Sequence, residues 1–347
     1  MERITIEFGK DKTAIIKGIA IILMIVLHCG KQEWFDTPIP AFTSYPWLSG
    51  WLSMGKLCVG IFAFLVGYGY AFAKKKDWLY SLNHIKKLLI PFWIILFVFT
   101  LPVVFFQENW VSWKVILLNL FGVNSEYCWV SWFVLFYIYA MMVMPFYSRI
   151  IDHFPIMGTI LLIVASYGIE LAVHSIPDWS NNDWTQRLFD CMINTPKMLI
   201  GYLMAHKLWY NKIKIPCHWG MACVALLIII LVFVARYKIE IILGFNLDFF
   251  YAPLFILAVL ILFNLYKLPV LSNVLMRLGK TSVYMWFFHS LFFTGAVRSV
   301  YQPFILISNN LWIIIPWTIL LTFLCSWVVK WCANYLQTKF SSYSNVI

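Results

Sequence analysis

Charged residues are scarce in this chain. They make up 12% of its 347 residues, against roughly 25% in soluble domains, while 62% of the residues are hydrophobic. Long apolar runs recur from end to end, and about 20 such residues suffice for a helix to cross the core of a bilayer. The composition therefore excludes an ordinary soluble domain and predicts an all-α polytopic membrane protein.

Acidic residues are nearly absent from the apolar runs. Of the fifteen Asp and Glu residues, only Glu170 falls clearly inside a run, and it lies near the end of that run. Carriers coupled to protons or cations commonly place carboxylates in the middle of the membrane. The scarcity of such carboxylates argues against a coupled transporter.

Several motifs of soluble chemistry are also missing. The chain has no Walker loop, G-x-S-x-G elbow, G-x-G-x-x-G turn or H-E-x-x-H helix, so nucleotide hydrolysis and metalloprotease chemistry gain no support. Its eight cysteines form no C-x-x-C pair, which predicts neither a metal site nor a disulfide framework. Cys128 and Cys191 fall at predicted outer helix ends, so one disulfide between them stays open.

The apolar runs predict ten membrane spans in one domain that covers residues 1–347, with mobile ends at 1–10 and 338–347. The spans are 13–30, 50–73, 86–106, 128–147, 154–173, 192–206, 218–235, 248–266, 281–298 and 308–330. A further apolar stretch at 111–122 is too short to cross and predicts an interfacial or re-entrant helix.

The basic residues predict the orientation. Seventeen of the 26 Lys and Arg residues fall on the side of the N-terminus, six fall on the other side, and three lie inside spans. Short cytoplasmic loops carry an excess of Lys and Arg, so both termini are predicted to be cytoplasmic. The net charge of +11 then reflects topology and contact with membrane lipid, and it needs no nucleic-acid partner.

Lys17 and His28 are the most informative polar residues. They lie in the first span, eleven positions apart, which places them on nearly the same helix face and roughly 16 Å apart along the axis. Ionisable groups inside a span are costly and therefore suggest function. His28 suits a general base at the outer end, whereas Lys17 is either a functional cation or an anchor that reaches the cytoplasmic interface.

Other polar residues leave structural and functional readings open. His289 is predicted in the middle of the ninth span, where it either anchors a hydrogen bond or lines a polar cavity. Lys56, Glu170 and His174 are either interfacial residues or parts of a site. The outer loops are rich in tryptophan, which forms either an interfacial belt or a platform for a sugar. These tryptophans are Trp34, Trp47, Trp110, Trp113, Trp179 and Trp184.

The chain resembles the acyltransferase 3 family of integral-membrane acyltransferases. The family's first helix carries Arg, ten residues and then His, and the segment from Ile16-Lys17-Gly18-Ile19-Ala20 to His28 has the same spacing. Further similar segments are Val59 to Tyr68, the basic run before Leu89-Ile90-Pro91, Ser131-Trp132-Phe133, and Ser282-Val283-Tyr284 to His289. Two positions differ from the family pattern, since Lys17 stands for the usual Arg and Val66 for the usual Ser.

The resemblance implies transfer of an acyl group, commonly acetyl from acetyl-CoA, to a hydroxyl of a cell-envelope glycan or exopolysaccharide, or of its lipid-linked precursor, at a bacterial plasma membrane. It implies a catalytic role for His28, as general base or as covalent acyl carrier. The candidate donor-binding residues are Lys17, Lys86 and Lys87. The candidates for binding the acceptor or lining a pore are Lys56, Tyr68, Trp132, Glu170, His174, Tyr284 and His289.

Two other functions remain open. A carrier or flippase for a free or lipid-linked sugar would use the same polar residues as a path, although the absence of an internal repeat and of mid-membrane carboxylates argues against it. A structural or signalling membrane protein would explain the topology but would leave the spacing of Lys17 and His28 to chance.

Overall fold

The computed structural model describes residues 3–107, 112–243 and 247–344, and ten long helices dominate these ranges. In chain order they are α1 (Lys10–Cys29), α2 (Trp47–Ala71), α3 (Trp78–Gln107), α4 (Ser131–His153), α5 (Pro155–His174), α6 (Asp183–His206), α7 (Trp219–Leu243), α8 (Asp248–Leu265), α9 (Pro269–His289) and α10 (Leu311–Ser344). Two stretches depart from α geometry, a 3₁₀ turn at Met54–Lys56 within α2 and a π-helical stretch at Ile95–Thr100 within α3.

Eight of these helices are long and apolar enough to cross a membrane, and the two others, α6 and α9, are equally long but more polar. Polar residues from the middle of α6 onward and in the second half of α9 are buried: Asn194, Thr195 and Lys197 on α6, and Thr281, Ser282 and His289 on α9. These two helices therefore lie in the interior of the bundle, α6 against α2 and α9 against α1. In contrast, α5 and α7 are mostly exposed, as expected for helices that face lipid.

The ten helices follow the ten predicted spans in order, but several bounds differ. The third helix begins at Trp78 rather than at 86, and the seventh and tenth end at Leu243 and Ser344 rather than at 235 and 330. The sixth helix begins at Asp183 rather than at 192, and the ninth is Pro269–His289 rather than 281–298. Hydropathy misplaced the starts of both helices because the first part of each is polar, with Arg187 and Asp190 on α6 and Arg277 and Lys280 on α9. The prediction that His289 lies in the middle of its span was wrong, because His289 is the last residue of α9 and a 3₁₀ turn, Ser290–Phe292, follows.

Glycines bring α1 and α9 into backbone contact. A Cβ on Gly18 would overlap the carbonyl oxygen of Leu275, and a Cβ on Gly279 would overlap that of Ala14. Small residues at such crossings let membrane helices approach closely. His28 and His289 each follow the glycine of their own helix by ten residues, so the crossing sets the register in which the two helix ends meet.

The remaining elements are short. Strand β1 (Arg3–Thr5) pairs antiparallel with β2 (Lys214–Pro216), and the predicted short helix is found at Trp113–Leu120. The predicted single domain and its mobile ends stay predictions, and Trp110 lies outside the described residues. The disulfide left open between Cys128 and Cys191 does not form, because all eight cysteines are free.

Candidate active site

Two buried histidines meet at the predicted outer ends of α1 and α9. His28 Nδ1 lies 2.9 Å from His289 Nε2, and both side chains are almost entirely buried. Their rings stack with centroids 4.8 Å apart. The structure thus joins the predicted catalytic residue to a second histidine, 261 positions away in sequence.

Backbone carbonyls determine where the protons of this histidine pair lie. The Nδ1–H of His289 donates to the carbonyl oxygen of Trp286 and, at 3.3 Å, to that of Met285. Because a carbonyl only accepts, the neutral His289 ring presents an acceptor at Nε2. His28 then donates from Nδ1, which leaves a lone pair on its Nε2. This Nε2 is buried and has no hydrogen-bond partner among the described residues.

Aromatic rings enclose His28 on its outer side. Trp34 stacks on the imidazole at 4.4 Å, Trp129 contacts it edge-on at 4.9 Å, and Phe293 lies at 5.8 Å. Trp34 and Trp129 also contact each other at 4.8 Å. Trp129 is 38% exposed, so this aromatic box connects His28 with the surface of the protein.

Gln302 holds the loop that carries Trp34. Its side-chain amide donates to the carbonyl oxygens of Trp34 (2.6 Å) and Phe292 (3.1 Å), and its oxygen accepts from the backbone N–H of Asp36 at 2.8 Å. An ion pair between Arg298 and Asp36, 2.6 Å long, fastens the same loop. Gln302 is buried, so these bonds position Trp34 over His28 from a water-poor environment.

A cavity of about 800 Å³ opens between α1, α2, α3, α4 and α9 on the predicted cytoplasmic side. Four lysines line it and give it a positive character: Lys10, Lys17, Lys87 and Lys280. His84 and five tyrosines add further polar groups to a mostly apolar wall; the tyrosines are Tyr68, Tyr70, Tyr80, Tyr137 and Tyr284. A cavity with a cationic mouth and an apolar wall suits a long ligand with one anionic end.

Three aromatic rings form the deep end of this cavity. Phe62 on α2 and Phe133 on α4 are the lining residues of their helices that lie nearest the predicted outer face. Trp286 is the last but one lining residue of α9, next to Phe287. Trp286 stacks on Phe133 at 4.3 Å and meets Phe62 edge-on at 4.8 Å. This aromatic plug separates the cavity from the histidine pair, since neither His28 nor His289 is among the lining residues.

Several sequence-predicted residues meet at the cavity. Lys17, Lys87, Tyr68 and Tyr284 all line it. Lys17 and Tyr284 are half-buried, Tyr68 is buried and Lys87 is exposed. Tyr68 also stacks on Phe8 at 4.2 Å and so holds the N-terminal segment at the cavity mouth. Lys86 is exposed and is not part of the lining.

Other predicted residues lie elsewhere. Lys56 is exposed near the predicted outer face, and the half-buried Trp132 contacts Phe133 at 5.5 Å without lining the cavity. Glu170 and His174 share a face of α5, where His174 contacts Trp179 at 5.4 Å. The structure brings none of these four residues to the cavity lining or the histidine pair.

Sequence reasoning missed Trp129, Trp286 and Gln302. Trp286 lies within the segment that carries the family resemblance, three residues before His289, but an aromatic residue in an apolar run gives no signal of its own. Trp129 precedes the fourth helix and resembles an interfacial residue. Gln302 lies in a loop whose partners are 266 and 268 positions away, so no local pattern could have found it.

Comparison with known families gives a match over nearly the whole chain. The acyltransferase 3 family model, described as an acyltransferase domain, matches residues 14–331 and so includes the histidine pair, the aromatic plug and most of the cavity lining. Neither a curated protein nor a solved structure gives a match. Because the family match covers nearly the whole chain, this multi-pass membrane protein belongs to the acyltransferase 3 family.

Proposed function

We propose that the protein is an O-acyltransferase that moves an acyl group, acetyl in the first instance, from cytoplasmic acyl-CoA to a hydroxyl of a cell-envelope glycan or its lipid-linked precursor. The observation that carries this proposal is the unpartnered, buried Nε2 of His28 at the end of the hydrogen-bonded histidine pair. A lone pair held in this way suits a general base for an alcohol. We place the protein in a bacterial plasma membrane.

The donor would enter from the cytoplasmic side. Its phosphates would meet the lysines of the cavity mouth, with Lys17 the deepest cation on α1. The apolar wall would hold the pantetheine arm, which would direct the thioester along α1 and α9 towards the aromatic plug. Ammonium groups bind phosphates as point charges, so Lys17 can replace the arginine of the family pattern in this role.

The acceptor would approach from the outer side through the aromatic box. Trp34 and Trp129 present large ring faces beside His28, and such faces bind the apolar surfaces of sugars well. The hydroxyl to be acylated would then lie beside His28 Nε2. The two substrates would meet between the aromatic box and the aromatic plug.

The reaction follows from these positions. His28 Nε2 takes the hydroxyl proton while the hydroxyl oxygen attacks the thioester carbonyl carbon, forming a C–O bond and an oxyanion. The oxyanion collapses and the C–S bond breaks, which releases the CoA thiolate. The His28 imidazolium then gives its proton to the thiolate, so that neutral His28 is restored. The products are the glycan ester and free CoA. Through its bond from His28 Nδ1, His289 stabilises the imidazolium that forms in the first step.

The test uses sealed vesicles that contain the protein, with acetyl-CoA labelled in the acetyl group on the cytoplasmic side and an extract of envelope glycans and their lipid-linked precursors as acceptor. We expect label on the glycan with the wild-type protein and a loss of roughly 10²- to 10⁴-fold with His28→Gln. His153→Gln serves as the matched control, because His153 is an exposed histidine near the cytoplasmic end of α4.

Three results would contradict the proposal. Full labelling by a folded His28→Gln variant would remove His28 from the mechanism. A stable label on the protein that chases onto the glycan would replace general base catalysis by a covalent acyl carrier. Movement of glycan across the membrane without labelling would indicate a carrier instead of an enzyme.

A further inference from the structure

The aromatic plug contains a polar atom that the mechanism above does not use. Trp286 is 6% exposed, and its indole Nε1 is fully buried without a hydrogen-bond partner in the described part of the chain. Its ring lies between Phe133, on which it stacks, and Phe62. A buried donor without a partner is unfavourable, so native proteins seldom keep one without a reason.

The two unpartnered groups of this region are chemically complementary. His28 Nε2 offers an acceptor on the outer side, and Trp286 Nε1 offers a donor at the end of the donor cavity. Attack of a hydroxyl on a thioester requires both, a base for the proton and a donor for the carbonyl oxygen that becomes negative.

Trp286 and His28 are also connected through the backbone. The carbonyl oxygen of Trp286 accepts from His289 Nδ1, and His289 Nε2 accepts from His28 Nδ1. Trp286 therefore lies one turn before the histidine that orients the base. Any thioester that reaches His28 from the cavity has to pass the Trp286 ring, because the plug is the end of the cavity nearest the pair.

We propose that the indole N–H of Trp286 donates a hydrogen bond to the acyl carbonyl oxygen of the thioester and stabilises the oxyanion formed when the hydroxyl attacks. This inference rests on the proposed function and assigns a further catalytic residue to it. The ring turns out of its stack on Phe133 as the thioester enters, which exposes Nε1 to the carbonyl. No proton leaves Trp286, and the bond lasts until the oxyanion collapses and the C–S bond breaks.

The test compares Trp286→Phe with the wild type, because phenylalanine keeps an aromatic ring in the plug and removes only the indole N–H with its fused ring. We expect kcat to fall roughly 10²- to 10³-fold, as for the loss of one oxyanion donor. The KM for acetyl-CoA should rise only about tenfold, because the same N–H also binds the uncharged carbonyl, but more weakly than the oxyanion. Trp93→Phe is the matched control. Trp93 lies outside the cavity lining, and its indole N–H donates to the Leu120 carbonyl at 2.9 Å. The Trp93→Phe variant should keep kcat within about threefold of the wild type.

Two unreactive donor analogues separate a hydrogen bond from a general packing defect. S-acetonyl-CoA keeps a carbonyl, whereas S-propyl-CoA has none. Trp286→Phe should bind S-acetonyl-CoA roughly tenfold more weakly than the wild type and bind S-propyl-CoA equally well. If Trp286→Phe bound both analogues equally more weakly, or kept the full kcat, this inference would be wrong while the proposed function would stand. If the wild type transfers no acyl group from acetyl-CoA and binds neither analogue, the proposed function fails and this inference fails with it.

Discussion

Replacement of His289 by leucine tests the orientation of the catalytic base. Leucine fills much of the same space but can neither accept from His28 Nδ1 nor donate to the carbonyl oxygen of Trp286. His28 would then lose the partner that fixes its ring and its tautomer. We expect His289→Leu to lower kcat strongly while the cavity, which His289 does not line, continues to bind the donor.

The size of the effect follows from the burial of the histidine pair. A buried donor that loses its acceptor costs about 1–3 kcal/mol, and each 1.36 kcal/mol is a factor of ten in rate. If this free energy is spent on holding His28 in the reactive tautomer, the rate falls roughly 5- to 160-fold. Because both rings are buried and no water replaces the lost acceptor, we expect a value near the upper end, about 100-fold.

Labelled acetyl-CoA in vesicles gives the assay, with kcat and the KM for donor and acceptor measured separately. His289→Gln is the second variant, because its side-chain oxygen can accept from His28 and its N–H groups can donate to the Trp286 carbonyl. It should recover kcat to within about tenfold of the wild type. Thermal unfolding in detergent checks that both variants keep their fold.

Two outcomes would refute this reasoning. If folded His289→Leu kept kcat within threefold of the wild type, His28 would not depend on His289 for its tautomer. If His289→Gln were as inactive as His289→Leu while both remained folded, His289 would carry a proton itself, and the role of a positioning residue would be wrong.

Two further predictions concern the two substrate approaches. Gln302→Leu removes three hydrogen bonds, two to the loop of Trp34 and one to the Phe292 carbonyl, so we expect the KM for the glycan to rise roughly 5- to 30-fold and the KM for acetyl-CoA to stay unchanged. The control Gln107→Leu, at an exposed residue, should change neither KM. An unchanged glycan KM in Gln302→Leu would show that Trp34 needs no such support. Lys17→Ala removes a cation from the cavity wall and should raise the KM for acetyl-CoA about tenfold. Lys17→Arg, which keeps the charge, should leave this KM unchanged. So should the control Lys212→Ala, at an exposed lysine on the predicted cytoplasmic side. Equal donor KM values for Lys17→Ala and the wild type would reduce Lys17 to a membrane anchor.

The order of the helices could be predicted because hydrophobicity and length suffice to identify a helix that faces lipid. The predicted bounds failed where a helix continues through a polar stretch. On α9, Asn273, Arg277 and Lys280 are exposed, yet they belong to the first part of a helix whose second part is largely buried. Hydropathy measures the preference for lipid, so it does not detect the polar part of such a helix.

Only part of the site could be predicted from the sequence, because most of its contacts join residues on different helices. The register of Lys17 and His28 is a property of one helix and can be derived from 1.5 Å per residue. The partner of His28 lies on another helix, and its distance depends on how α1 and α9 cross. Trp129, Trp286 and Gln302 act through contacts of the same long-range kind, which no local spacing encodes.

The crossing of α1 and α9 explains how two distant histidines reach hydrogen-bond distance. Gly18 and Gly279 bring the two backbones together near the predicted cytoplasmic side, and ten residues of helix, about 15 Å, separate each glycine from its histidine. Because α1 and α9 run in the same direction, equal spacings carry the two imidazoles to the same depth. A side chain at either glycine would push the helices apart at the crossing, and His28 Nδ1 and His289 Nε2 could then no longer hold their 2.9 Å contact without a compensating shift. The glycines that line up the two helices are therefore as much a condition of the proposed chemistry as the histidines themselves.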